Sequence, residues 1–315
     1  MFQKIKRKFL NTSLVLKSIA LSKKLVLPGF EGIPLHDVIL FFSRGLVKGS
    51  LNTRATSLAF KFFLAIFPGL IFLITLIPYI PIDNFQVEML ALLKDILPQS
   101  AYETTASTFE DLIKNQRGGL LSFGFLTALY LATNGISAMI KAFNKSYHTS
   151  DRRTALKRQL ISILLVIILF VLTLVAIALI IFSETALDFL ESKKLLNDSL
   201  IYYLLIIGKW IIIVALFFFG ISFLYYFGPD TSGTKIKWKF ISAGSTLATI
   251  FIVLASEAFA YYVNNFGTYN KIYGSIGTLM VIMLWLEFNS MIILLGFELN
   301  ASIYFAKRFH KKHIV

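Results

Sequence analysis

The sequence predicts an all-α polytopic membrane protein, a bundle of six transmembrane helices with amphipathic helices at its surfaces. Three observations predict it. Hydrophobic residues make up 57% of the 315 residues and charged ones only 15%, far from the balance of a soluble domain. Several apolar runs reach about 20 residues, the length that crosses a hydrocarbon core of roughly 30 Å. The runs are continuous rather than alternating, and lipid offers no partner to backbone groups, so helix prevails over barrel.

Taken in order, residues 1–56 form a basic N-terminal segment. Its first stretch, MFQKIKRKFLNTSLVLKSIALSKK, is broken by lysines and lacks the apolar core and cleavage site of a signal peptide. Within it, LHDVILFFSRGLVK (35–48) reads as a short amphipathic surface helix. The membrane domain, 57–304, holds spans near 57–80, 119–141, 159–183, 201–227, 240–263 and 276–299. The first contains Pro68, which removes one backbone donor and favours a kink. Between the first two spans, 81–118 is long enough to be structured. Phe85, Met89, Leu92, Leu93 and Ile96 fall at helical spacing, and Ser100 with Glu103 fits a capping box opening a second helix. Two amphipathic helices capping the outer face are expected there. A basic tail, 305–315, ends the chain.

The net charge of +14 is mostly a matter of topology. The segment before the first span, the loops after spans two and four, and the tail carry most of the Lys and Arg. The opposite side carries only Lys94, Lys114, Arg117, Lys193, Lys194 and Lys271. The positive-inside rule therefore places both termini in the cytoplasm. Nucleic acid is not an expected partner; membrane lipids are, together with a small molecule or lipid substrate of unknown identity, and the sequence allows an oligomer.

Without cysteine, disulfides and thiolate chemistry are excluded. His36, His148, His310 and His313 lie outside the apolar runs, with no metalloprotease spacing, and no phosphate-binding or nucleophile-elbow motif occurs. No catalytic residue, metal or cofactor is assigned.

The candidate site is instead intramembrane. Charges at that depth are costly, so Lys61, Lys209, Glu257, Glu287 and Glu298 must face the bundle interior, pair or neutralise. Lys209 with Glu257, and Lys61 with Glu298, sit at matching depths and could pair. At about 100° per residue, Glu287 and Glu298 differ by only about 20° of azimuth, and Asn289 and Asn300 share a second line. The last span thus has one polar flank, readable as a substrate or proton path or as interhelical packing.

Three segments resemble one family. RATSLAFKFFLAIFP (54–68), with Arg54 and Pro68, resembles the first-span signature of the YihY/BrkB family of bacterial inner-membrane proteins. AFNKSYHTSDRR (142–153) resembles its loop, through Asn144, Tyr147 and Arg152 or Arg153. The last span, from 273 to 301, matches at Tyr273, Gly274, Gly277, Trp285, Gly296, Glu298 and Asn300. The resemblance implies a six-span inner-membrane protein; some members are named ribonuclease BN, others virulence or serum-resistance factors. The family usually has an aromatic where this chain has Glu287, which shifts weight toward Glu298 and Arg54. The expected function is transporter-like or lipid-handling, without catalysis. The alternatives are an envelope scaffold and, more remotely, a membrane-bound RNA-processing nuclease.

Overall fold

The computed structural model describes residues 13–48, 50–81, 86–87, 90, 99–146, 151–192, 199–230, 239–266 and 275–313. Among them every regular element is helical. Two surface helices, α1 (Ser13–Lys24) and α2 (Leu35–Lys48), precede α3 (Leu51–Leu76), which runs through Pro68 and ends in a 3₁₀ turn, Ile77–Tyr79. Helix α4 (Gln99–Lys114) follows, then α5 (Gly118–Ser146), α6 (Ala155–Ser192), α7 (Ser199–Phe227), α8 (Ala243–Phe266) and α9 (Ser275–His313). Six of these, α3 and α5 to α9, are long and apolar enough to cross a membrane, at the six places the apolar runs predict.

The six spans close a ring in chain order, each packed on the next, with α9 returning to α3 and also touching α5 across the middle. Both described ends of the chain lie on one side, called proximal below. The main core fills the proximal half. Phe143 of α5 stacks on Phe297 of α9 at 4.1 Å between ring centroids, and Tyr225 of α7 meets both edge-on. Leu58, Ile140, Leu165, Leu224, Ala248, Leu294 and Ala301 complete that core.

Glycines permit the closest approaches. A Cβ on Gly296 would lie 2.6 Å from the Gly244 carbonyl oxygen, and one on Gly244 would lie 2.1 Å from the Gly296 oxygen. Helices α8 and α9 therefore touch backbone to backbone, as small-residue seams allow.

The distal half is different. Beyond Leu165 in α6 and Ile252 in α8, no described side chain of the span is buried, and none is between 278 and 289 of α9. On α7, Tyr203, Leu205, Ile207, Trp210, Ile211 and Ile212 are all exposed. At about 100° per residue they fall on two sides of the helix, leaving a sector that holds Ile206, Lys209 and the buried Ile213. On that half α6 to α9 bury little, while α3 and α5 stay in contact, with Gly124 against the backbone of Phe72.

At the distal end α4 packs on the end of α3. Its Ile113 is fully buried, and Gln116 just beyond it donates to the Pro78 carbonyl. The helix starts at Gln99, so Ser100 lies inside its first turn rather than capping it, a shift of the size at which helix boundaries scatter. The first expected cap helix falls largely outside the described residues, as do Tyr147, Tyr273 and Gly274.

Candidate functional site

Arg54 sits in the first turn of α3. Its Nη1 donates to the Ala142 carbonyl at 2.8 Å and to Ser146 Oγ at 3.1 Å, a cation set against the C-terminal turn of α5. Its Nε and Nη2 are buried and meet no acceptor. Glu298 lies nearby on α9, 5% exposed, and its Oε2 is buried without a donor. No ion pair joins the two side chains directly. Helix α2 covers Glu298 at Gly45, where an added Cβ would fall 1.9 Å from Oε1. Gly45 shares a helix face with Val38, two turns earlier, which is buried against α9.

A second cluster ties the proximal loops. Asn144 Oδ1 accepts the Asp230 N–H at 2.8 Å, and Asp230 Oδ2 accepts the Arg152 N–H at 2.7 Å. Arg153 donates to Asp151 at 3.0 Å and faces Asp230 at 4.0 Å; all three side chains are buried. Its Nη2 also donates to the Gly228 carbonyl at 2.6 Å. Arg153 therefore caps the end of α7 while balancing two carboxylates.

Asn300 clamps the start of α8. Its Oδ1 accepts the Gly244 N–H at 2.8 Å and its Nδ2 donates to Ser242 Oγ at 2.9 Å. Glu287 accepts a hydrogen bond from Thr56 of α3 and remains half-exposed. Asn289 turns back to the Trp285 carbonyl of its own helix at 2.8 Å. The polar flank of α9 is thus divided: its proximal end is buried among helices, and its midpoint meets one neighbour at the surface. Gly277 is buried at the start of α9, and Trp285 is exposed. Among the described residues no ion pair joins Lys61 to Glu298 or Lys209 to Glu257, and Glu257 lies on the exposed side of α8.

Outside the bundle, the turn before α2 is strapped to the proximal end of α9. Glu31, at a left-handed φ of 55°, meets Lys307 and, at 3.5 Å, Lys239. Asp37 meets His310 at 2.5 Å and His36 at 3.0 Å. Partial burial pulls both carboxyls up, but their cationic and imidazole partners outweigh it and hold them below their ordinary values.

Gly45, Ser242 and Tyr225 were not singled out by sequence reasoning, and Asp151 and Asp230 read there only as scattered loop carboxylates. For Gly45 a signal exists, a glycine on the apolar face of an amphipathic helix. The carboxylates gain meaning only when loops distant in sequence converge.

Residues 42–313 match a family model described as virulence factor BrkB. A ribonuclease-like protein, YfkH of Bacillus subtilis strain 168, is 33% identical over 264 residues, covering 82% of this chain and 91% of the relative. A UPF0761 membrane protein of Haemophilus influenzae strain 86-028NP is 24% identical, covering 86% of this chain and 96% of the relative. Another, from Tolumonas auensis, is 28% identical, covering 84% of each. No solved structure matches the chain.

Proposed function

The chain belongs to the virulence factor BrkB family of membrane proteins, and on that footing we propose that it is a transporter-like protein that handles lipids in the bacterial inner membrane, with its proximal face and both termini in the cytoplasm. One observation carries this reading: the ring is packed shut in its proximal half, while distally α6 to α9 bury few side chains. Apolar side chains exposed on two sides of the distal part of α7 offer an amphiphile's chains a surface beside the helices in the bilayer. The buried Glu298 and the half-buried Arg54 give its polar end somewhere to go. The Lys and Arg asymmetry of the loops supports the orientation.

The scaffold alternative calls for a core packed from face to face, and the sparse burial of α6 to α9 in the distal half weighs against it. For the nuclease alternative, the proximal carboxylates matter. Glu31, Asp37, Asp151 and Asp230 are each engaged by lysine, histidine or arginine, in contacts that tie elements together. That arrangement serves packing.

Leaflet exchange of labelled phospholipids in proteoliposomes tests the proposal. Exchange above empty vesicles is expected for the wild type and for Glu287→Gln, and its loss for Glu298→Gln. Exchange no faster than in empty vesicles overturns it.

A further inference from the structure

We infer that Arg54 and Glu298 form a recognition site for a paired phosphate and primary ammonium, the headgroup of a phosphoethanolamine lipid, and that α2 is the lid over it. The inference rests on the lipid-handling reading above and names its substrate class.

The two side chains are complementary to such a group. Arg54 spends Nη1 on the end of α5 and keeps Nε and Nη2 unused and buried. Those two atoms form one edge of the guanidinium, the edge that takes two oxygens of a phosphate side by side. Glu298 is an acceptor-only group with a buried oxygen lacking a donor. An ammonium N–H supplies that donor. Leaving both groups buried and unsatisfied is costly. One group keeps a donor edge and the other an acceptor oxygen without partners, the complement of a ligand that carries a phosphate and an ammonium. A phosphate alone satisfies only Arg54. A quaternary ammonium has no N–H for Glu298. An anionic glycerol headgroup brings a hydroxyl but no cation.

The cover over the site is α2. It reaches Glu298 through Gly45, where no side chain intervenes. It is held from the water side by the Asp37–His310 and Glu31–Lys307 contacts. It joins α3 through Ser50, whose φ of 44° is left-handed. Swinging α2 about that joint exposes Glu298 and releases the contacts of Leu46 with the core around Phe143 and Phe297 and of Val38 with α9.

The test uses the full chain, purified with an equimolar mixture of phosphatidylethanolamine, phosphatidylcholine and phosphatidylglycerol, and native mass spectrometry of the retained lipid. The expected result is phosphatidylethanolamine over the other two by at least about tenfold, the factor of one charge-assisted hydrogen bond. Glu298→Gln should abolish the preference. Glu298→Asp, which keeps the carboxylate, should retain part of it, and equal unfolding temperatures for the two variants guard against misfolding. Equal retention of all three lipids overturns the inference, as does a preference that survives both Glu298→Gln and Arg54→Gln. Glycerophosphoethanolamine should displace the lipid; its binding without retention of phosphatidylethanolamine overturns the lipid source. The chain lacks cysteine, so spin labels at exposed Val47 on α2 and Leu160 on α6 report the lid. A distance that changes with phosphatidylethanolamine supports it, and an unchanged distance overturns it. Headgroup-blind exchange would sink this inference and leave lipid handling standing. Selective retention without exchange would do the reverse.

Discussion

Arg153 concentrates several tasks in one side chain. It ends α7, fixes the loop after α5 and balances Asp151 and Asp230. Replacing it by alanine removes the guanidinium that two buried carboxylates share. Arg153→Ala should cost about 3–5 kcal/mol, read as a lower unfolding temperature in detergent. The strap over α2 makes a pH prediction with a definite sign. The carboxyls of Asp37 and Glu31 are held below their ordinary values by His310 and His36, and by Lys307 and Lys239. A depressed carboxyl contributes stability above its unfolded value, about 4, and loses it as the pH falls through the lower folded one. Amide exchange in α2 should therefore quicken as the pH drops below about 4, after correction for intrinsic rates. Exchange in α2 that ignores this window would remove the strap from the account. At this scale the sequence was only partly legible. The shared azimuth of Glu287 and Glu298 follows from helical geometry. That one is buried beneath α2 while the other meets only Thr56 follows from where two other helices lie, which no local pattern records.

The helices themselves were more legible, because a run of apolar residues the thickness of a bilayer has few other outcomes. What periodicity hid was how closely they approach. Gly244 and Gly296 look like any two small residues until their backbones are seen to touch. Gly296→Ala should push α8 and α9 apart at a cost of about 1–3 kcal/mol. Gly208→Ala, with nothing within 4 Å of the new Cβ, should leave thermal stability within about 0.5 kcal/mol of wild type. Equal effects of the two would mean that the seam is not tight. Asn300→Ala should cost about 1 kcal/mol, the scale of a lost helix cap, although here the cap reaches α8 from a different helix. Helix α9 is also longer than a span requires. Its 39 residues extend about 58 Å, and the excess carries Lys307 and His310 to the strap.

At the scale of the molecule, packing is uneven from one face to the other. Proximal backbone amides of α5, α7 and α9 lie among buried aromatics, and distal ones of α6 and α7 among exposed aliphatics. Local opening costs least where few apolar contacts hold the chain. Hydrogen exchange in nanodiscs should therefore show strong protection at 136–143, 220–225 and 294–301 and weaker protection at 203–212. Uniform protection along α7 would contradict the split. The closure of the ring has a further consequence, for how the molecule is made. The seam that completes it joins the first span to the last. During synthesis the first five spans must wait in the bilayer with Phe143 and Tyr225 in contact but without Phe297, the ring that stacks on Phe143, until α9 leaves the ribosome. A chain cut short before Ser275 would have five of its six spans and would lack Leu294, Phe297 and Ala301 at its centre, and cellular quality control should treat it as unfinished.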